Sequence, residues 1–204
     1  MIGFLMLFYS IKAEESKAHV HFMLFGGFNS SKTFTQLNSS QTIFSEAQLN
    51  YNFGAGLRIE FASILFLQPE VYFTRKGGLE NAFRTSPTDT FNQQVSVHSV
   101  DVPIMFGFRF FHSEGFCLRM YGGPVLSFLY DSQVDVYKNR VVMPWAEVSM
   151  KTSVFSMQYG AGLDITKRFT FDVRYEYAFS PMFKLSDFKT SYRILYFTLG
   201  LKLF

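Results

Sequence analysis

The sequence predicts an all-β fold, an eight-stranded antiparallel up-and-down β-barrel. Three observations predict it. Apolar and polar residues alternate with a period of two along stretch after stretch, as in strands with two unlike faces. The connections between those stretches are alternately short and long. Past the first residues, no apolar run is long enough for a membrane-crossing helix. The 204 residues suffice for one domain with a sizeable core. Phe occurs 27 times and aromatics make up 19% of the chain, yet mean hydropathy is only +0.09. Apolar and polar surface are therefore interleaved, not collected in blocks.

The opening run, MIGFLMLFYSI followed by KAEESKA, is shorter than the ~18–20 residues that span a bilayer as a helix. Its length suits the core of a secretory signal, with Ala13 or Ala18 before the cleavage point. Residues 1–18 are thus expected to be a signal-peptide remnant or a periplasmic N-terminal segment, and residues 19–204 the barrel. The first strand is His19–Asn29, with Val20, Phe22, Leu24 and Phe28 on one side. The second, Tyr51–Phe61, sets Tyr51, Phe53, Ala55, Leu57, Ile59 and Phe61 against Asn52, Gly54, Gly56, Arg58 and Glu60. The third, Ile64–Lys76, sets Leu67, Pro69, Val71 and Phe73 against Gln68, Glu70, Tyr72 and Thr74. The fourth, His98–Phe110, opposes Val100, Val102, Ile104, Phe106, Phe108 and Phe110 to Asp101, Pro103, Met105, Gly107 and Arg109.

The fifth, Phe116–Tyr130, is less regular around Gly122, Gly123 and Pro124. The sixth, Val154–Ile165, carries Phe155, Met157, Tyr159, Ala161 and Leu163 on its apolar side. The seventh, Arg168–Phe179, has Phe169, Phe171, Val173, Tyr175, Tyr177 and Phe179 on one face and Asp172, Arg174 and Glu176 on the other. The eighth is Tyr192–Phe204. Short links (Ala62–Ser63, Phe111–Gly115, Thr166–Arg168) alternate strictly with long ones (Ser30–Asn50, Gly77–Val97, Asp131–Ser153, Ser180–Ser191). Short turns on one side of a membrane and long, polar loops on the other have this form. The third long link also alternates, so the fifth and sixth strands are expected to continue past the bilayer as a hairpin.

Alternation alone fits two polarities. A soluble, lipocalin-like carrier would turn its rings inward and its charges outward, and would hold an apolar ligand. A transmembrane barrel does the reverse. Two features favour the second. The ring-bearing sets are large and apolar over five or six positions, and Gly54, Gly56, Gly107, Gly160 and Gly162 gather on the charged face, where a narrow lumen is most crowded. The lumen is then expected to hold an ion-pair network of Arg58, Glu60, Glu70, Asp101, Arg109, Arg119, Asp172, Arg174 and Glu176, with Asp164 on the same face. Tyr72, Tyr121 and Gln158 are expected to bridge it. Unpaired ions in that space would cost several kcal/mol each.

The stretches LQPEVYF (Leu67–Phe73), VDVPIMFGFRF (Val100–Phe110) and YGGP (Tyr121–Pro124) carry a family likeness. The chain resembles the PorT-like small outer-membrane β-barrel proteins of Bacteroidota, from about Val20 to Phe204. Asp101 stands where that family usually has Glu. The resemblance implies a barrel in the bacterial outer membrane and leaves activity open.

Catalytic and metal chemistry is poorly supplied. His98 and Ser99 are adjacent, so they face opposite sides of a strand and would need a bulge to share a proton. His19 and His21 share a face but lack further ligands for a metal. Cys117 is the only cysteine, which excludes an internal disulfide and reads as a packing residue. Trp145, beside Pro144, is a candidate anchor in an outer loop. No catalytic, cofactor or metal residue is assigned. A net charge of +3, scattered along the chain, argues against nucleic acid. The reading is a non-enzymatic, monomeric barrel in outer-membrane lipid, with an extracellular or periplasmic protein as candidate partner. The rival is a lipid- or protein-modifying enzyme of the same membrane.

Overall fold

The structure, a computed structural model, describes residues 19–37, 41–61, 64–86, 89–113, 115–138, 141–143, 151–166, 168–180 and 188–203. These form ten strands: β1 (His19–Leu37), β2 (Gln41–Phe44), β3 (Glu46–Glu60), β4 (Leu65–Ser86), β5 (Asp89–Ser113), β6 (Phe116–Lys138), β7 (Val141–Met143), β8 (Ser153–Ile165), β9 (Phe169–Ala178) and β10 (Phe188–Lys202). Eight of them are long staves, each paired antiparallel with its neighbours in the sheet order β10-β9-β8-β6-β5-β4-β3-β1. The short β2 and β7 cap β1 and β6. Pairing of β1 with β10, from Met23↔Lys202 to Leu37↔Phe188, closes the barrel and leaves those staves no free edge there.

Register sets the geometry. Cross-strand partners lead from Val20 to Ile59, Leu67, Phe106, Gly122, Tyr159, Tyr175 and Leu195, and return to β1 at Ser30. One circuit thus climbs ten residues (30 − 20), a stagger that tilts the strands by roughly 35–45°. Eight strands at that tilt leave an interior just wide enough for side chains.

Alternation decides which side chains fill it. Along β9, Thr170, Asp172, Arg174, Glu176 and Ala178 are buried, while Phe169 and Phe179 are exposed. β3, β4, β5, β6, β8 and β10 repeat the pattern, including β6 across Gly122 to Pro124, where Gly123 faces in and Pro124 faces out. The outer surface is an apolar belt. Phe61, Phe110, Phe111, Phe116 and Phe169 ring it at the short-turn end; Tyr51, Phe73, Phe128, Tyr130, Phe155 and Phe179 ring it at the other. The ten residue steps from Phe169 to Phe179 rise about 25 Å along the tilted axis, the height of a membrane band. Charges inside and rings outside exclude the lipocalin-like arrangement.

One expectation is corrected. The long connections are in large part strand. β1 runs to Leu37, β4 and β5 pair out to Ser86↔Asp89, and β6 pairs with β5 as far as Lys138. Ser, Thr, Asn and Gln on both faces suit strands standing in water, so hydrophobic alternation fades although pairing continues. The hairpin expected past the bilayer in the third long link is present, as β6 running on to Lys138 and pairing with the short β7; β8 itself starts at Ser153. Positions 1–18, Ala62–Ser63, Pro144, Trp145 and Phe204 lie outside the described residues.

Candidate functional site: the charged lumen

The inward-facing rows carry charged and polar groups among apolar side chains and glycines, and the stagger brings rows from distant strands level with one another. At the short-turn end, Arg109 pairs with Glu60 at 2.8 Å. Beside them Asp164 of β8 gathers three cations: Lys202 at 2.7 Å, Arg119 at 3.0 Å and Arg58 at 3.2 Å. Glu60, Arg109, Asp164 and Lys202 form the floor of an open mouth of about 590 Å³, also lined by His21, Cys117 and Thr166.

Above this floor the contacts close on themselves. Arg58 Nε donates to Gln68, and the Gln68 amide donates to Glu70. Glu70 accepts both terminal nitrogens of Arg174, one of them at 2.9 Å. Arg174 Nε donates to Tyr121 at 3.0 Å, and the Tyr121 hydroxyl donates to Asp172 at 2.6 Å. Asp172 accepts from Arg119 at 3.1 Å, and Arg119 returns to Asp164 and so to Arg58. The cycle draws on β3, β4, β9, β6 and β8 and binds five staves across the lumen. Bidentate and charge-assisted bonds of this kind are the strong ones. Rings pad the guanidinium faces: Arg58 lies 5.3 Å and Arg119 5.9 Å from the Phe66 centroid, while Arg174 sits among Phe25, Tyr72 and Tyr121.

The upper level is built on Lys76. Its ammonium reaches Asp101 at 2.9 Å, Ser127 at 2.9 Å, Tyr192 at 3.2 Å and Glu176 at 3.4 Å. Glu176 accepts in addition from Ser156 and Tyr196, each at 2.7 Å, and from Gln158 at 3.4 Å. Val97, Val154, Ala178, Tyr192, Ile194 and Tyr196 pack beside this level as an apolar cluster. The cations so joined are Arg58, Lys76, Arg109, Arg119, Arg174 and Lys202; the anions are Glu60, Glu70, Asp101, Asp164, Asp172 and Glu176. Six meet six, so these lumen groups sum to zero. Between Arg174 and Asp101 the remaining void is about 10 Å³.

All nine charged residues singled out from the sequence face the lumen, in three levels. Sequence reasoning passed over Lys76 and Lys202. The signal was present: Lys76 continues the even-numbered row Gln68, Glu70, Tyr72, Thr74, and Lys202 continues the row of Tyr192, Ile194 and Tyr196. Tyr121 does bridge charged groups, Arg174 and Asp172, whereas Gln158 reaches only Glu176 through its Nε2. Tyr72 does not bridge: its hydroxyl has no hydrogen-bond partner, and the side chain contributes its ring, 5.5 Å from Arg174 and 5.5 Å from Phe25. A bulge does fall at His98, because Tyr130 is an extra residue between the pairs His98↔Asp131 and Ser99↔Leu129. Even so, Ser99 stays buried and donates to the Thr74 carbonyl, while His98 lies outside near the Tyr130 ring. Among the described residues, no three His, Cys, Asp or Glu side chains are placed to hold a metal ion.

A closed eight-stranded barrel with a lipid-facing apolar belt and a charged, side-chain-filled lumen defines a membrane-spanning class of protein. The chain belongs to the outer membrane protein beta-barrel domain family, whose model matches residues 12–184, and it is accordingly a protein of the bacterial outer membrane. Among solved structures it is similar to the outer membrane protein OprG from Pseudomonas aeruginosa, with 10% identity over 93% of this chain and 98% of that chain and a TM-score of 0.51. Ail, the attachment invasion locus protein of Yersinia pestis, solved with the heparin analogue sucrose octasulfate, has 14% identity over 91% of this chain and 99% of that chain, with a TM-score of 0.43. The outer membrane enzyme PagL has 12% identity over 85% of this chain and 97% of that chain, with a TM-score of 0.41. At such identities the likeness is one of fold. No curated protein matches the sequence.

Proposed function

We propose that this chain is a non-enzymatic outer-membrane barrel with a plugged lumen, which works as a structural or interaction element through the strand extensions and loops opposite its short turns. The observation that carries the reading is the void of about 10 Å³ at mid-lumen, room for about one water and not for a solute path. Six cations held against six anions supply the plug, and the strand ends beyond the belt supply surface for a partner. The partner is an extracellular or periplasmic protein, the barrel stands as a monomer in outer-membrane lipid, and nucleic acid has no part in it. The LQPEVYF and VDVPIMFGFRF strands support a finer placement in the PorT-like group of Bacteroidota. An enzymatic role would need a nucleophile and base on one side of the wall, and His98 and Ser99 lie on opposite sides of β5. Planar-bilayer recording of the refolded chain tests the plug. The expected record shows no stable open channel; a steady porin-like conductance would sink the reading.

A further inference from the structure

The mid-lumen void is lined by Asn52, Tyr72, Thr74, Asp101, Gln158, Arg174 and Glu176. Four of these side chains carry a buried polar atom with no hydrogen-bond partner: Asn52 Oδ1, Tyr72 Oη, Thr74 Oγ1 and Gln158 Oε1. Such groups usually find a partner, and leaving one unmade costs about 1–3 kcal/mol. Their chemistry is complementary. The Gln158 amide is oriented by its Nε2, which donates to the acceptor-only Glu176 carboxylate, so its oxygen is left as an acceptor. Asn52 Nδ2 is likewise engaged by Thr198, leaving the Asn52 oxygen. The two hydroxyls, of Tyr72 and Thr74, have protons to give.

Two acceptors and two donors around a space of about 10 Å³ match one molecule that gives two hydrogen bonds and takes two. We propose that this void is a built site for a single structural water, which donates to Asn52 and Gln158 and accepts from Tyr72 and Thr74. It would tie β8 across the lumen to the paired strands β3 and β4, where Asn52 already stands opposite Thr74. A metal cation fits less well. The Arg174 guanidinium lines the void, and the Lys76 ammonium already stands against both nearby carboxylates, Asp101 and Glu176.

The test reads a sign. Tyr72→Phe and Thr74→Val each remove one hydroxyl with little change of shape. If the hydroxyls bind a water, each variant lowers the temperature at which the refolded barrel loses its compact gel band, by a few degrees. If the void is dry, each variant deletes an unsatisfied polar group and the temperature rises, which overturns the proposal. Replacing Na⁺ by K⁺ or choline at constant ionic strength should leave the native midpoint unmoved; a shift would assign the site to a cation. Should a variant not fold, water-to-side-chain NMR on the native chain decides. A long-lived water cross-peak to the Gln158 amide protons is expected, and its absence refutes the site. The inference rests on the closed lumen proposed above, and the two fail separately: a conducting pore defeats the plug, whereas a dry void in a non-conducting barrel defeats only the water.

Discussion

Arg174→Gln breaks the hydrogen-bonded cycle at a member with three partners. The native guanidinium holds Glu70 through two nitrogens, donates to Tyr121 at 3.0 Å and lies 4.0 Å from Asp172. The Glu70 side chain is fully buried. After the substitution its carboxylate keeps only the Gln68 amide among these donors. Removing one partner of a buried ion pair costs about 3–5 kcal/mol, because the survivor is left charged and out of water. The same argument sets the size of the rescue. Glu70→Gln added to Arg174→Gln removes the stranded charge, so the double variant should regain about 1–3 kcal/mol relative to the sum of the two single changes. Urea unfolding of the refolded barrel in lipid vesicles, followed by circular dichroism and gel mobility, measures all three variants. Single effects that add to the double within about 0.5 kcal/mol would refute the claim that this pair is coupled in the folded lumen.

The lipid-facing polarity makes a graded prediction. Phe197→Arg, opposite Val173 near the middle of the belt, should cost about 2–4 kcal/mol, and Leu203→Arg, near its edge, about 0–1; equal costs would argue against a membrane band centred there. Gly162→Ala places a Cβ against Asp172 Oδ1 and 2.8 Å from the Arg119 guanidinium carbon, so about 1–3 kcal/mol of overpacking and a lower refolding yield are expected. The native chain, refolded in detergent, should run differently on a gel boiled and unboiled, since a closed barrel satisfies its backbone internally and resists SDS until heated. A chain soluble in plain buffer with no such shift would reverse the assignment of its faces.

The residues themselves foretold much of this. Period-two alternation separated Phe169, Phe171 and Val173 from Asp172, Arg174 and Glu176, and the same logic reached Arg58, Glu70 and Arg119 with no reference to any neighbour. It failed where the alternation lost contrast. Along residues 30–37 and 77–86 polar residues fall at odd and even positions alike, so they carry no sign of strand although pairing continues. Lys76 was missed at such a border, two positions past Thr74, where the clear alternation ends.

Local pattern therefore determined strand, face and chain order, because the side-chain period is a property of each strand alone. Partnership was decided only in three dimensions. Arg174 meets Glu70 across 104 positions and Arg58 meets Asp164 across 106. No local rule selects those distances. They follow from the ten-residue stagger of eight tilted staves, which brings rows from distant strands to one height, and that stagger exists only once β10 has closed on β1.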